Sequence, residues 1–268
     1  MRKPLFAGFA VFLAILCLGT AGLFGAKIYT TCKQDTDSEQ VYDQLAQYVS
    51  PHEATTPEGG FTPPSSGAEP VSEREEAAEP VRLLDIDFAA LKEINPDIVG
   101  WLYCPDTVIN YPLVQGADNA YYLSHLADGT YNRNGCLFVD CHNRAGFADE
   151  NTLIYGHHMA SGKMFASLIQ YADQSYYEAH PVIYLMTEDT DYRVELFAGY
   201  TATVDAAAYT LTFSSAEEYD AWLLEVVEQS DFSSGVSVDA GDHTVTFSTC
   251  AYSFQDARYV VHGKLVDD

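Results

Sequence analysis

Basic side chains are scarce in this chain. Lys and Arg number 13 against 39 Asp and Glu, a formal net charge of -26 over 268 residues. Phosphate backbones are bound by clustered Lys and Arg, so this balance excludes nucleic acid as a partner. It equally excludes docking on an anionic membrane surface by charge alone. A strongly acidic chain suits a solvated extracellular protein, or one that meets a cationic partner. Cysteine is sparse too, with six residues at 17, 32, 104, 136, 141 and 250. An even number outside the cell invites a disulfide framework, but the spacing is irregular. Cys136 and Cys141 stand five apart in an expected strand, point to opposite faces and are poorly placed to pair. The absence of CxxC and HxxxH spacings argues against a structural zinc site. No metal and no other cofactor is expected.

What the chain does have is apolar material. Hydrophobic residues make up 47%, with 19 Tyr and 14 Phe, enough for a core. Much of it opens the sequence. Arg2 and Lys3 precede an uncharged run, Pro4 to Ala26, closed by Lys27; Leu5–Ala26 alone is 22 residues, against the ~20 that cross a hydrocarbon layer. A cleaved signal peptide with Thr20, Ala21 and Gly22 near its cleavage site is one reading. An uncleaved anchor over residues 1–32 is the other, favoured because the run exceeds a signal-peptide core of ~7–15 residues. Leu16 before Cys17 is not the small residue that a lipid-modified cysteine wants. Arg2 and Lys3 orient the N-terminus inside and the remainder outside, although Lys27 and Lys33 weaken the asymmetry.

From residue 33 to residue 80 Glu, Pro, Ser, Thr and Gly dominate, as in Thr62-Pro63-Pro64-Ser65-Ser66-Gly67. Such a composition buries too little apolar surface to order itself, and it predicts a flexible acidic stalk with a short helix around Glu39–Val49. A folded domain then spans residues 81–268. Eight short apolar stretches bounded by turn residues predict strands. They are Ile98–Tyr103, Val108–Val114, Gly135–Asp140, Asn151–Tyr155, Val182–Met186, Tyr192–Tyr200, Thr244–Thr249 and Tyr259–Leu265. Helices are expected at Asp87–Ile94, Asp118–Leu126, Met164–Tyr171 and, most clearly, Ser214–Gln229. The last has a Ser cap, Glu217 and Glu218 in its first turn, and a stripe of Tyr219, Trp222, Leu223, Val226 and Val227. Many strands with inserted helices make a mainly β domain, a barrel or sandwich with helical additions.

Three residues could carry chemistry. Cys250 ends a strand, His157 follows Ile154-Tyr155-Gly156 at the end of another, and Arg258 begins the strand after Cys250. Singly each has a plain explanation: a free Cys is usually a small buried hydrophobe, and an exposed Arg makes a weak ion pair with a neighbour such as Asp256. Together they can perform acyl transfer. The thiol attacks a carbonyl, the imidazole moves protons and the guanidinium holds the oxyanion. The adjacent His157 and His158 point different ways, so only one should face the thiol; His158 is the fallback.

Thr246-Phe247-Ser248-Thr249-Cys250 resembles the TLxTC signature of sortases, with Phe247 at the usual Leu position. Ile154-Tyr155-Gly156-His157-His158-Met159 resembles the segment holding the family's catalytic His, and Arg258 falls where the family places its Arg. The likeness covers Val81–Val266. Val99-Gly100-Trp101-Leu102, Ile109–Gln115, Asn119–Leu123, Gly135–Asp140 and a helix before the Cys strand look like class B. The resemblance implies a closed eight-stranded β-barrel with inserted and N-terminal helices, on the outer face of a Gram-positive membrane. It implies a cysteine transpeptidase that cleaves a C-terminal sorting motif of surface proteins after Thr, forms a thioester on Cys250, and passes the acyl group to a cell-wall amine. His157, Cys250 and Arg258 would be catalytic, and Tyr155 and Ser248 would lie near the substrate groove. A pilin-polymerising variant would use a Lys amine. A secreted cysteine hydrolase would use water, and a non-enzymatic anchored binding domain would leave the three matched residues without a reason.

Overall fold

Eight short apolar segments bounded by turn residues need a sheet that buries them. The computed structural model describes residues 4–52, 83–251 and 256–267. In chain order its elements are helix α1 (Pro4–Leu45), strands β1 (Val49–Pro51) and β2 (Leu84–Ile86), helix α2 (Phe88–Ile94), strands β3 (Ile98–Tyr103), β4 (Asn110–Val114), β5 (Leu137–Val139) and β6 (Asn151–Tyr155), helix α3 (Gln174–Ala179), strands β7 (Val182–Met186) and β8 (Asp191–Ala202), helix α4 (Ala216–Glu228), and strands β9 (Thr244–Cys250) and β10 (Arg258–Asp267). Strands β3 to β10 close into one barrel in the order β10-β8-β7-β3-β4-β5-β6-β9. The β4–β5 and β6–β9 pairs are parallel and the others antiparallel. All eight expected strands are present.

The inward face packs Leu102, Leu113, Leu137, Ile154, Leu185, Leu196, Val245, Phe247 and Val261, all at most 1% exposed. Phe247, the departure from the sortase signature, lies in this core and meets Phe165 edge to face. Helix α4 covers part of the outer face. Its Ser215 cap accepts from Glu218 N, and Tyr219, Trp222, Leu223 and Val226 are buried. Val227, expected in that stripe, is instead 43% exposed, one position round the helix from the buried row. Beneath α4 lies His262, fully buried, with Nδ1 2.8 Å from Thr246 Oγ1 and its ring over Tyr200. Two expected helices are 3-10 instead of α: Asp118–Leu126 shrinks to the turn Tyr121–Leu123, and Met164–Tyr171 appears at its expected length as Phe165–Ala172.

The N-terminal segment differs from expectation. Of residues 33–80, expected as a stalk, 33–52 are described, and they dock on the barrel. Leu45 is 1% exposed and packs with Leu84, Phe88 and Leu91. Tyr42 donates to Gly135 O at 2.9 Å and meets Tyr111 edge to face. Asn134 donates to Asp35 and Ser38, and Lys163 pairs with Glu39. Strand β1 pairs with β2, with Val49 opposite Ile86. These partners are 37 to 124 residues away in sequence, so a local composition count misses them. Residues 53–80 lie outside the described residues, as do residues 1–3 and the side chains of 4–19 and 21–23, which carry most of the expected anchor. Among the described residues no helix is long and apolar enough to cross a membrane.

Two outcomes follow for stability. Leu45→Ala should cost about 2–5 kcal/mol, the range for emptying a buried Leu site, read as a lower urea midpoint; a stalk residue would leave the midpoint unchanged. Burial pushes the His262 imidazole down to about 3, whereas an unfolded His takes its proton near pH 6.5. Falling pH therefore favours the unfolded chain. The stability that His262 contributes is complete above pH about 6.5 and is lost between there and about 3. Urea midpoints measured across that window should fall less steeply with acid in His262→Gln.

Candidate active site

Register brings the three candidate residues together. In the antiparallel β9–β10 pair Cys250 stands directly opposite Arg258, a placement that sets Cβ atoms on one face about 4.5–5.5 Å apart. In the parallel β6–β9 pair Tyr155 is level with Ser248; Gly156 N then donates to Ser248 O at 3.1 Å, and His157 follows just beyond the end of β6. Successive residues of a strand alternate faces. Val245 and Phe247 point into the core, which puts Ser248 and Cys250 on the outer face, where Tyr155 also lies. A cavity of about 350 Å³ opens there, lined by His157, Cys250 and Arg258 together with Tyr155, Ser248 and Tyr209.

Two glycines let the chain approach this closely. Gly156 carries the backbone out of β6, and a methyl group there would run into Leu137 and Phe165. Gly135 has φ of +56° and touches the His157 ring; a Cβ would meet Tyr122 O at 2.6 Å and His157 Cδ2 at 2.9 Å. The two histidines diverge as expected. His157 Nε2 lies 2.8 Å from Leu123 O, and a carbonyl only accepts, so Nε2 carries a proton. His158 does not line the cavity. Its Nδ1–H donates to the Cys250 carbonyl at 2.9 Å, holding the backbone of the cysteine from behind. Phe165 N donates to His157 O and fixes the intervening turn.

Tyr155 and Ser248 line the cavity with their hydroxyls engaged. Tyr155 donates to Asp140 at 2.9 Å, and the Ser248 and Tyr209 hydroxyls are 2.8 Å apart. The Tyr155 and Tyr209 rings lie parallel, centroids 6.5 Å apart. Burial raises both phenols, so both stay protonated and neutral; the Asp140 charge adds to the rise at Tyr155. Burial works against ionisation of Asp140, but hydrogen bonds from His142, Tyr155 and Asn119 outweigh it and hold the carboxyl below its usual range. Tyr209, Val204, Asn119 and Leu123 also line the cavity, and none of them is among the site residues expected from the sequence. Tyr209 sits in the polar connection between β8 and α4, and no local motif marks it. Among the described lining residues Arg258 is the only Lys or Arg, and there is no carboxylate.

The remaining thiols differ. Cys104 and Cys136 are buried, and burial pushes both up, Cys136 most strongly, which keeps them protonated and inert. Cys32, Cys104, Cys136, Cys141 and Cys250 are all free. The arrangement at Cys250 can attack a carbonyl, hold the resulting oxyanion and move a proton.

Comparison with known proteins agrees with this chemistry. A family model described as "Sortase domain" matches residues 102–266. The chain is 40% identical to sortase B of Listeria monocytogenes over 178 residues, 66% of this chain and 72% of that protein. It is 30% identical to sortase B of Staphylococcus aureus over 96% of this chain and 97% of that one. A solved Staphylococcus aureus sortase B–substrate complex superposes with a TM-score of 0.64 at 35% identity, over 67% of this chain and 84% of that chain.

The geometry separates the two histidines. His157→Ala should lower kcat/KM for acyl transfer by about 10²–10⁴-fold, the range for losing a positioned acid–base group. His158→Ala should cost less than tenfold. The reverse order, measured by steady-state kinetics on folded variants, would reassign the imidazole.

Proposed function

The chain belongs to the sortase family, class B, and is a cysteine transpeptidase, and from that membership we propose that Cys250, His157 and Arg258 are its catalytic residues, acting on a C-terminal sorting motif of surface proteins. The observation that carries the proposal is their convergence on one cavity, Cys250 and Arg258 directly opposite on β9 and β10 and His157 just past the end of β6.

In this mechanism the Cys250 thiolate adds to the carbonyl carbon of the motif's Thr. Arg258, a cross-strand neighbour of the nucleophile, donates to the oxyanion that forms. His157 gives a proton to the departing amide nitrogen, the C–N bond breaks and a thioester remains on Cys250. An amine of a cell-wall peptide then attacks the thioester and gives up a proton to His157. The thiolate leaves, and a new amide joins surface protein to wall. Tyr155 and Tyr209, both neutral and with rings parallel, wall the substrate groove, and Ser248 sets the tilt of Tyr209. Arg2 and Lys3 ahead of the 22-residue apolar run Leu5–Ala26 support a single-pass anchor, with the N-terminus inside and the catalytic domain outside the cell membrane.

The test is incubation of the chain with sorting-motif peptides and candidate amines, read by mass spectrometry. A thioester on Cys250 and an amide product with the added amine are expected, and Cys250→Ala should abolish both. Arg258→Lys should lose about 10²–10³-fold in acylation rate, because an ammonium cannot reproduce the guanidinium fork. A free acid as the sole product, whatever amine is added, would make the protein a hydrolase. A Lys side chain as the preferred amine would make it a pilin polymerase.

A further inference from the structure

One cluster of ligand-type side chains lies outside the set used above. After β5 the chain runs Asp140-Cys141-His142, and one donor atom from each residue lies within 4.8 Å of the other two. His142 Nδ1 is 2.8 Å from Asp140 Oδ1 and 3.5 Å from Cys141 Sγ. The His142 side chain is 74% exposed and that of Asp140 only 7%, so the cluster opens to solvent over a buried carboxylate.

We propose that Asp140, Cys141 and His142 form an open binding site for a thiophilic divalent cation of the Zn2+ type, behind the wall of the reaction cavity. Tetrahedral zinc with bonds of about 2.3 Å to sulfur and 2.0–2.2 Å to nitrogen and oxygen separates S from N by about 3.5 Å and N from O by about 3.4 Å. The S–N separation already matches. The N–O separation has to widen by about half an ångström to meet that geometry, which a small rotation of the exposed His142 ring supplies. The loop is held in this shape without a metal. Asn119 donates to Asp140 Oδ2 and accepts from Cys141 N, both at 2.8 Å, and Gln115 donates to the carbonyls of Asp140 and Asn143. Ordering such a loop normally subtracts from affinity; here that cost is already met by the fold.

The donor set is one carboxylate, one thiolate and one imidazole, a mixture that suits zinc and similar cations and not magnesium or calcium. Binding replaces the Cys141 thiol proton, which leaves to solvent, and the His142 proton moves from Nδ1, which faces Asp140, to Nε2 so that Nδ1 is free to ligate; the free fourth position takes water. This is not the closed four-ligand arrangement of a structural zinc site, consistent with the missing CxxC and HxxxH spacings. Asp140 also ties the site to the cavity, because its other carboxylate oxygen accepts from Tyr155 and Asn119, both cavity residues.

The test uses the chain carrying Cys250→Ala, so that the proposed nucleophile cannot bind metal, titrated with Co2+ as a coloured stand-in for Zn2+. A thiolate-to-cobalt charge-transfer band in the near ultraviolet should appear, saturate at one equivalent and be displaced by Zn2+. Adding Cys141→Ser should abolish the band, His142→Ala should weaken the apparent affinity by about tenfold or more, and Cys32→Ser should leave it unchanged. Circular dichroism confirms that each variant is folded; both substituted positions are solvent-facing, so folding is expected. No band at millimolar Co2+, or a band that survives Cys141→Ser, would overturn the proposal.

Discussion

The structure depends on how β9 is held between its two neighbours. A parallel ladder to β6 and an antiparallel ladder to β10 set the register on both sides. A slip of one residue in either ladder would turn a whole strand over. Val245 and Phe247 would leave the core, and Cys250 would enter it. The hydrophobic interior therefore enforces the outward position of the thiol. It also keeps Arg258 directly opposite the thiol by backbone pairing, and it brings His157, just past the end of β6, to the same cavity. Alternation and barrel closure together convert a packing requirement into the alignment of a reaction centre.

Around that ladder the turns do the positioning. Gly156 lets the chain leave β6 without striking Leu137 or Phe165, and Gly135 makes room for the His157 ring from the other side. The Gly135 carbonyl is in turn held by Tyr42 of α1. The docked end of α1 is thus one contact removed from the loop that presses on His157. Leu45, Tyr42 and Asn134 tie it down through apolar packing and short-range hydrogen bonds, with ion pairs to Arg133 and Lys163 at the edge. Exposed pairs of that kind contribute little, so the apolar seam is what holds the helix.

Charge is distributed with the same economy. A chain of net charge -26 places no carboxylate among the described residues of its cavity wall, and puts one of its 13 basic side chains there beside the thiol. Asp140 stands one layer behind, engaged by Tyr155 and Asn119. Two other thiols in the domain are silenced by burial, while Cys250 and Cys141 remain within reach of solvent.

Much was legible in the chain itself. Short apolar stretches bounded by turn residues located all eight barrel strands, because strand length and the turns between strands are local properties. The capping serine, early glutamates and apolar stripe of Ser214–Gln229 located α4 for equally local reasons, and residue types and the TFSTC and IYGHHM segments singled out Cys250, His157 and Arg258. Residues 33–52 were misjudged because composition measures what a segment can bury by itself, and their partners are distant. Tyr209, the contact of α1 with the β4–β5 connection and the convergence at Asp140-Cys141-His142 were invisible for the same reason. Local chemistry and periodicity belong to the sequence alone. Which face a thiol occupies, which of two adjacent histidines reaches the cavity and which hydroxyl supports which ring were decided only when long-range pairing brought residues about a hundred positions apart into register.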